Sequence, residues 1–350
     1  MKVLRNTNFK LNNGFLDYSD VAEIDVETTQ LLTRTLQYGD IILEKSGGSD
    51  TQAIGRVVLF DKEDDNETYS YSNFCSRIRV NNANEVNPLY LWIVLHNFYC
   101  KGGTIPLQNG IRLLNIDMAG YSKIKIPVPP IDIQKQIVEE IGKIDRSVSD
   151  SQSCINECEA NIESLLSSLN FADNTLSAIA PFVTKSIKYN YIASETYITT
   201  DNMLQNKMGV VPFAGEANIS SITEYKKGDI LISNIRPYLK KIWFADKEGG
   251  CSKDVLVLRS ADVGKYLPKY IFYMIRRDAF FDYVMEGKKG IKMPRGNKDD
   301  IQKYRIPIPP IEEQKRIVSQ IEDLEQEITK ARNLIENATS KKQAILDKYL

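Results

Sequence analysis

The sequence predicts an α/β (α+β) protein of two globular domains, each followed by a long helix, with the two helices pairing as an antiparallel coiled coil. Three observations carry this prediction. First, Ile126 to Ile141 reads IPVPPIDIQKQIVEEI and Ile306 to Ile321 reads IPIPPIEEQKRIVSQI, identical at 10 of 16 positions at a shift of 180 residues. Second, each segment opens a heptad stripe in the same phase. Third, short β-branched and aromatic runs fill the stretches before each copy. The boundaries that follow are 1–125 and 173–305 for the domains, and 126–172 and 306–350 for the helices.

The shift of 180 also pairs Pro88 and Tyr90 with Pro268 and Tyr270, Gly110 and Ile111 with Gly290 and Ile291, and Arg112 with Lys292. The repeating unit is therefore a domain plus a helix. Further upstream YGDIIL (Tyr38 to Leu43) answers KGDILI (Lys227 to Ile232) at a shift of 189, so insertions separate the copies there, as expected of loops with different specificities. About 20 residues of the second copy, from Asp173 to Tyr191, have counterparts that would precede Met1. Either the first domain is short, or the chain begins at an internal start, or a neighbouring chain or the C-terminal tail supplies the missing edge.

In chain order, the runs Gly55 to Phe60 and Ser76 to Val80 read as strands of the first domain. Pro88 to Phe98 reads as its helix, opened by proline. After the first proline pair, Ile137, Ile141, Ile144, Val148, Ser151, Ile155, Cys158, Ile162, Leu165 and Leu169 alternate in steps of four and three. Asp229 to Ser233, Lys241 to Ala245 and Asp254 to Ser260 are the strands of the second domain, and Pro268 to Phe281 reads as one helix. The second stripe is Ile317, Ile321, Leu324, Ile328, Ala331, Ile335, Ala338, Lys342 and Ile345. Each long helix would run about 55 Å at about 1.5 Å per residue. Small residues at Ser151, Cys158 and the alanines imply close backbone approach.

At 350 residues the chain can bury two or three cores, and 42% hydrophobic with 26% charged residues is ordinary globular composition. No apolar run reaches the roughly 20 residues that span a bilayer, and no signal-peptide layout opens the chain, so a cytoplasmic protein without membrane contact is expected. Five scattered cysteines and one histidine, His96, make neither a disulfide framework nor a structural zinc site. The net charge of −1 conceals segregation: residues 126–174 hold 3 basic against 9 acidic groups, and residues 175–305 hold 22 against 14, a net of +8. A polyanion would meet the second domain more readily than the first helix.

Two variable domains, each closing on IPxPP and a QKxIV helix, with GDILIS early in the domain, resemble the DNA-specificity subunit of type I restriction-modification systems. The resemblance covers essentially the whole chain. It implies two target-recognition domains, each reading half of a split sequence in double-stranded DNA, with the helices as a ruler that sets the spacer. It also implies a subunit without a catalytic centre. Adenine-N6 methyltransferase (M) subunits using S-adenosylmethionine and ATP-dependent restriction (R) subunits would dock on it, so S-adenosylmethionine, ATP and Mg belong to partners and none to this chain. The acidic first helix would face a protein rather than phosphates. A non-reading scaffold, an orphan copy that only recruits partners, is the alternative.

DNA readers need Arg, Lys, Asn and Gln at base edges and phosphates, helped by Ser, Thr and glycine-rich backbone. In the first domain, the loops Glu44 to Arg56 and Lys101 to Arg112 offer Lys45, Ser46, Ser49, Gln52, Arg56, Lys101, Thr104, Gln108, Asn109 and Arg112. In the second, Ser233 to Lys241 and Glu286 to Lys298 offer Asn234, Arg236, Tyr238, Lys240, Lys241, Lys288, Lys289, Lys292, Arg295 and Asn297. Three enzyme-like signals fail. Asn87-Pro-Leu-Tyr90 resembles an amino-methyltransferase motif, but its repeat counterpart is Leu267-Pro-Lys-Tyr270 and no glycine-rich cofactor loop precedes it, so it reads as a helix start. Asp40 with Glu44 and Lys45 hints at a nuclease, yet Glu44 and Lys45 project to opposite faces of a strand. Cys154 and Cys158 lie one helical turn apart without further ligands, which leaves two ordinary thiols and no metal site.

Overall fold

The computed structural model describes residues 1–10, 14–25, 33–48, 52–63, 67–110, 113–189, 193–215, 221–288, 290 and 293–350. It resolves into two compact units, Met1–Ser151 with Asn333–Leu350, and Gln152–Arg332.

In the first unit β1 (Lys2–Leu4), β2 (Ala22–Glu23), β3 (Ile41–Glu44), β4 (Ser46–Gly47), β5 (Val57–Leu59), β6 (Tyr69–Tyr71), β7 (Cys75–Ile78), β8 (Gln108–Asn109) and β9 (Leu114–Ile116) form three small sheets, ordered β2-β1-β6, β5-β3-β7 and β4-β9-β8. The β3 strand is central to the second of these, with Ile41 opposite both Leu59 and Ile78. Its side chains alternate between two cores. Ile41 and Leu43 face the cluster under helix α1 (Pro88–Cys100), whereas Ile42 joins Leu4, Phe9 and Tyr69 on the other side. A one-turn helix α2 (Met118–Tyr121) precedes the first proline pair.

The long helix α3 (Ile131–Ser167) runs on into the second unit. There β10 (Asp173–Thr175), helix α4 (Leu176–Ile179), β11 (Ser186–Lys188), β12 (Tyr197–Ile198), β13 (Ser221–Tyr225), β14 (Ile230–Ser233), β15 (Ile242–Phe244), β16 (Gly249–Cys251) and β17 (Val255–Leu258) precede helices α5 (Pro268–Arg276), α6 (Asp278–Glu286) and α7 (Lys298–Lys303), then β18 (Arg305–Pro307). The order β15-β14-β17 repeats β5-β3-β7, and β14 again divides two cores, Ile230 and Ile232 against Leu231. The single helix expected over Pro268 to Phe281 is in fact two. Arg277 adopts extended geometry, φ −65° and ψ 151°, and its guanidinium binds Glu163 of α3, which redirects the chain between α5 and α6.

The second long helix, α8 (Ile311–Tyr349), has 39 residues against 37 in α3. Within the first unit Tyr349 donates to Glu140 at 2.7 Å and Lys342 pairs with Asp145. Within the second, Arg332 meets Glu159 at 3.3 Å and the Cys158 thiol donates to Glu327 at 3.5 Å. Within the first unit residue numbers rise along one helix as they fall along the other. Every heptad-stripe position named above is buried or half-buried.

The repeated junction is a buried clamp. Gln134 and Gln314 are 0% exposed. The Gln134 Nε2 donates to Glu85 O and Pro129 O, both at 2.8 Å, while its Oε1 accepts from Asn87 N at 2.8 Å. Gln314 repeats this with Lys265 O, Pro309 O and Leu267 N, all at 2.8 Å. Tyr90 and Tyr270 donate to Pro127 O and Pro307 O at 2.7 Å. Asn87 caps α1, accepting from Leu89 N and Tyr90 N, so the Asn-Pro-Leu-Tyr run is committed to folding.

Candidate nucleic-acid interface

In the first unit the two sequence-predicted loops are drawn together on one carbonyl. Thr104 Oγ1 donates to Ile54 O at 2.9 Å, Gln108 Nε2 donates to the same oxygen at 3.3 Å, and Tyr99 Oη reaches Ala53 O at 3.0 Å. Gly55 makes the crossing possible: its φ is +99°, and a Cβ there would lie 2.6 Å from Thr104. Thr104 is thus a buried tie between loops rather than a surface contact. Arg56 is likewise internal. Its guanidinium spans Glu44 with two bonds of 2.8 Å, donates to Asn6 O at 3.2 Å and sits 5.4 Å over the Phe9 ring. Burial opposes the Arg56 charge, but the Glu44 carboxylate more than offsets this and raises its pKa. Gln52 places its amide 3.2 Å from the same guanidinium. Buried Ser46 donates to Asn115 at 2.6 Å. Lys101 and Asn109 are exposed, and Lys45 is half-buried. Ser49 and Arg112 lie outside the described residues.

The second unit joins its loops by backbone. Ile235 bridges Arg295, Arg236 N donates to Pro294 O at 2.8 Å, and Gly296 N donates to Asn234 O at 3.2 Å. Asn234 is buried, and its Oδ1 has no hydrogen-bond partner. Arg236 and Lys240 flank the turn Pro237–Leu239 in the left-handed region, φ +51° and +50°. Such non-glycine geometry costs roughly 1–3 kcal/mol and persists where the surroundings impose it. It presents Arg236 and Tyr238 to solvent, with Lys288 and Arg295 also exposed. Lys240 is held by Asp278 at 2.9 Å and Lys241 donates to Thr200 O at 2.6 Å. Arg295 pairs with Asp254 at 3.2 Å, and Asn297 caps α7 through Asp299 N. Lys289 and Lys292 lie outside the described residues.

One neighbour escaped the sequence reading. Asn206 and Lys207 also take left-handed geometry and bond Leu239 O and Lys240 O at 2.9 Å, which lays the Asp201 to Gly209 loop beside the Arg236 turn. Lys207, then Lys240, holds the Asp278 carboxyl below its ordinary range. No local pattern signals a contact across 71 residues.

The enzyme-like groups are absorbed by the fold. Asp40 takes two 2.6 Å bonds from Arg79, and Asp229 takes bonds of 2.8 and 2.7 Å from Arg259, the same pair in each repeat. A third potential ligand does join Cys154 and Cys158: their sulfurs and a Glu327 oxygen lie within 4.8 Å of one another. Burial pushes the Cys158 thiol up to about 11, and the thiol donates to Glu327. Among the described residues, no helix is long and apolar enough to cross a membrane.

Two copies of one scaffold, each tying a pair of polar loops together beside a buried β-sheet, define a tandem recognition protein. The chain belongs to the type I restriction modification DNA specificity domain family, whose model matches residues 6–159 and again 168–337. It is similar to the type I restriction enzyme EcoDI specificity subunit of Escherichia coli, at 32% identity over 101 residues, 29% of this chain and 22% of that protein. The chain therefore aligns with only about a fifth of that relative's length. In fold it is similar to a type I restriction-modification S subunit from M. genitalium, with a TM-score of 0.57 at 12% identity over 91% of this chain and 84% of that one. A second solved structure, described as the basis of complex assembly and conformational transition in the type I R-M system, gives 0.54 at 17% identity over 99% and 90%.

Proposed function

We propose that this chain is the sequence-specific subunit of a type I restriction-modification complex, reading a bipartite target in double-stranded DNA with one half-site per domain. The domains are 1–125 and 173–305, and the helices 126–172 and 306–350 pair as an antiparallel coiled coil that fixes the spacer. The observation that carries the reading is the duplicated architecture: each unit brings two polar segments together at the same place in a repeated frame, Ser46 opposite Asn115 and Ile235 opposite Arg295. Two tethered readers on one duplex face need half-sites about a helical turn apart, roughly 34 Å, which a rigid helical spacer provides.

The contact set we propose is narrower than the loops as a whole. Lys45, Lys101, Gln108, Asn109, Arg236, Tyr238, Lys288 and Arg295 meet DNA, while Thr104, Arg56 and Ser46 shape the surface from within. Adenine-N6 methyltransferase subunits and ATP-dependent restriction subunits dock on the helical frame in the cytoplasm, bringing S-adenosylmethionine, ATP and Mg with them. The test is co-expression with the neighbouring methyltransferase, followed by single-molecule sequencing for N6-methyladenine. One split motif, modified only when this chain is present and altered when one domain is exchanged, is the expected result. Methylation indifferent to this chain within a stable complex overturns the reading in favour of a scaffold.

A further inference from the structure

A cluster of metal-ligand side chains lies where α3 and α8 meet within the second unit. Cys154 and Cys158 stand one turn apart on α3 and so share a face, and Glu327 reaches them from α8. The two sulfurs and a carboxylate oxygen all lie within 4.8 Å of one another, and the Cys158 sulfur is 3.5 Å from Glu327 Oε2. Among the described residues the partner of that carboxylate is the thiol rather than a cation. Cys158 is buried, Cys154 half-buried and Glu327 exposed, so the cluster opens to solvent on one side.

The internal repeat shows that packing does not call for these groups. At the shift of 180, Cys154, Cys158 and Glu327 correspond to Leu334, Ala338 and Ser147 of the first unit. Ala338 is buried as Cys158 is, and Ser147 and Leu334 line one small cavity. The same frame is thus built there without a thiol or a carboxylate. The spacing in the second unit also has a chemical meaning. Zinc holds thiolate sulfur at about 2.3 Å and carboxylate oxygen at about 2.0–2.2 Å with tetrahedral angles, which sets an S···O separation of about 3.5 Å and an S···S separation of about 3.8 Å. The 3.5 Å between Cys158 and Glu327 already has the first value. An S–H···O bond gives a similar separation, but it does not account for the second thiol beside it.

We propose that Cys154, Cys158 and Glu327 form a binding site for a thiophilic divalent cation, zinc by its ligand set, which ties α3 to α8 within the second unit. Two sulfur ligands disfavour calcium and magnesium, which take oxygen from several groups at once. Coordination replaces the thiol protons, which pass to solvent, and the two thiolates and the Glu327 carboxylate then supply three bonds. Water takes the fourth position on the exposed side. Because Cys158 and Glu327 are 169 positions apart in the chain, the cation closes a long loop and adds a covalent-strength tie to helices otherwise held by packing. The proposal stands on the ligand geometry and the internal repeat, and does not depend on DNA reading.

The test is a titration of the full chain, stripped with a chelator, freed of it and kept under a phosphine reductant, with Co²⁺ as a spectroscopic stand-in for Zn²⁺. A single equivalent of Co²⁺ should produce a near-ultraviolet sulfur-to-metal charge-transfer band and the visible bands of a four-coordinate centre, with a Kd below about 10 µM, and Zn²⁺ should displace it. Cys158→Ala, which matches Ala338 of the first unit, should keep the fold by circular dichroism and lose the band, as should Cys154→Ser. Glu327→Gln should weaken binding by at least about tenfold, a loss that follows even from removing outer-shell partners of a metal. Cys100→Ser, at the exposed thiol 3.5 Å from His96, should change nothing. The lack of a saturable band at one equivalent overturns the proposal. So does a band that survives undiminished in the Cys154→Ser or Cys158→Ala protein, or one that disappears with Cys100→Ser.

Discussion

Single residues already separate fold from function. Gln134 and Gln314 each spend both amide ends inside the junction, so truncation strands several buried backbone groups. Gln134→Leu and Gln314→Leu should each destabilise their own unit by about 2–3 kcal/mol in denaturant titrations, with little direct effect on DNA contacts. Arg236 is the opposite case, an exposed cation in a strained turn. Arg236→Ala should weaken specific binding by about 1–3 kcal/mol if it meets a base, and should flatten the salt dependence by about one unit if it meets a phosphate; fluorescence anisotropy against salt distinguishes these. His96 provides the pH dependence. Burial, reinforced by Lys342, lowers its pKa below the ordinary 6.5, and its ring stacks 6.0 Å from Trp92. The unfolded chain therefore binds the proton more readily. The stability tied to neutral His96 is intact above about pH 6.5 and is lost as pH falls through that value, so melting temperature should drop between about pH 7.5 and 5.5. His96→Gln should remove that slope.

At the scale of elements, the heptad stripes were legible because burying one face of a helix imposes a period that survives any loop variation. Their small residues, Ser151, Cys158, Ala331 and Ala338, are all buried. Ala331→Leu should therefore overpack the seam and cost about 1–3 kcal/mol in thermal denaturation rather than strengthen it. Several central strands were legible for a different reason, as short β-branched and aromatic runs: Ile41, Ile42 and Leu43 are all apolar because successive side chains enter two cores, which leaves no polar alternation to read. The break at Arg277 was not. Nothing in the run Pro268 to Phe281 is a helix breaker, and the bend is held by an ion pair with Glu163, 114 residues away. Loop identity was partly legible: polar, glycine-bearing stretches were visible, but not that Thr104 and Arg56 turn inward.

For the whole molecule, the ruler reading makes a quantitative demand. Inserting one heptad into each long helix at matched positions keeps both stripes in phase and adds about 10 Å. At about 3.4 Å per base pair the methylated motif should keep both half-sites and lengthen its spacer by about three base pairs. Sequencing that finds the spacer unchanged would refute the ruler while leaving both readers intact. The acidic balance of residues 126–174, 3 basic against 9 acidic groups, disfavours phosphate contact on that helix.

By itself the sequence determined the duplication, the domain-and-helix alternation, the stripe positions and the family, because periodicity, proline placement and repeated spacing are written locally. Only the tertiary structure decided which predicted cations face outward and that the buried Asp40 and Asp229 carboxylates are paired with arginines. Those outcomes depend on partners tens of residues distant. Whether a side chain is exposed or internally paired is set by the segments the fold brings against it, and no local pattern records them.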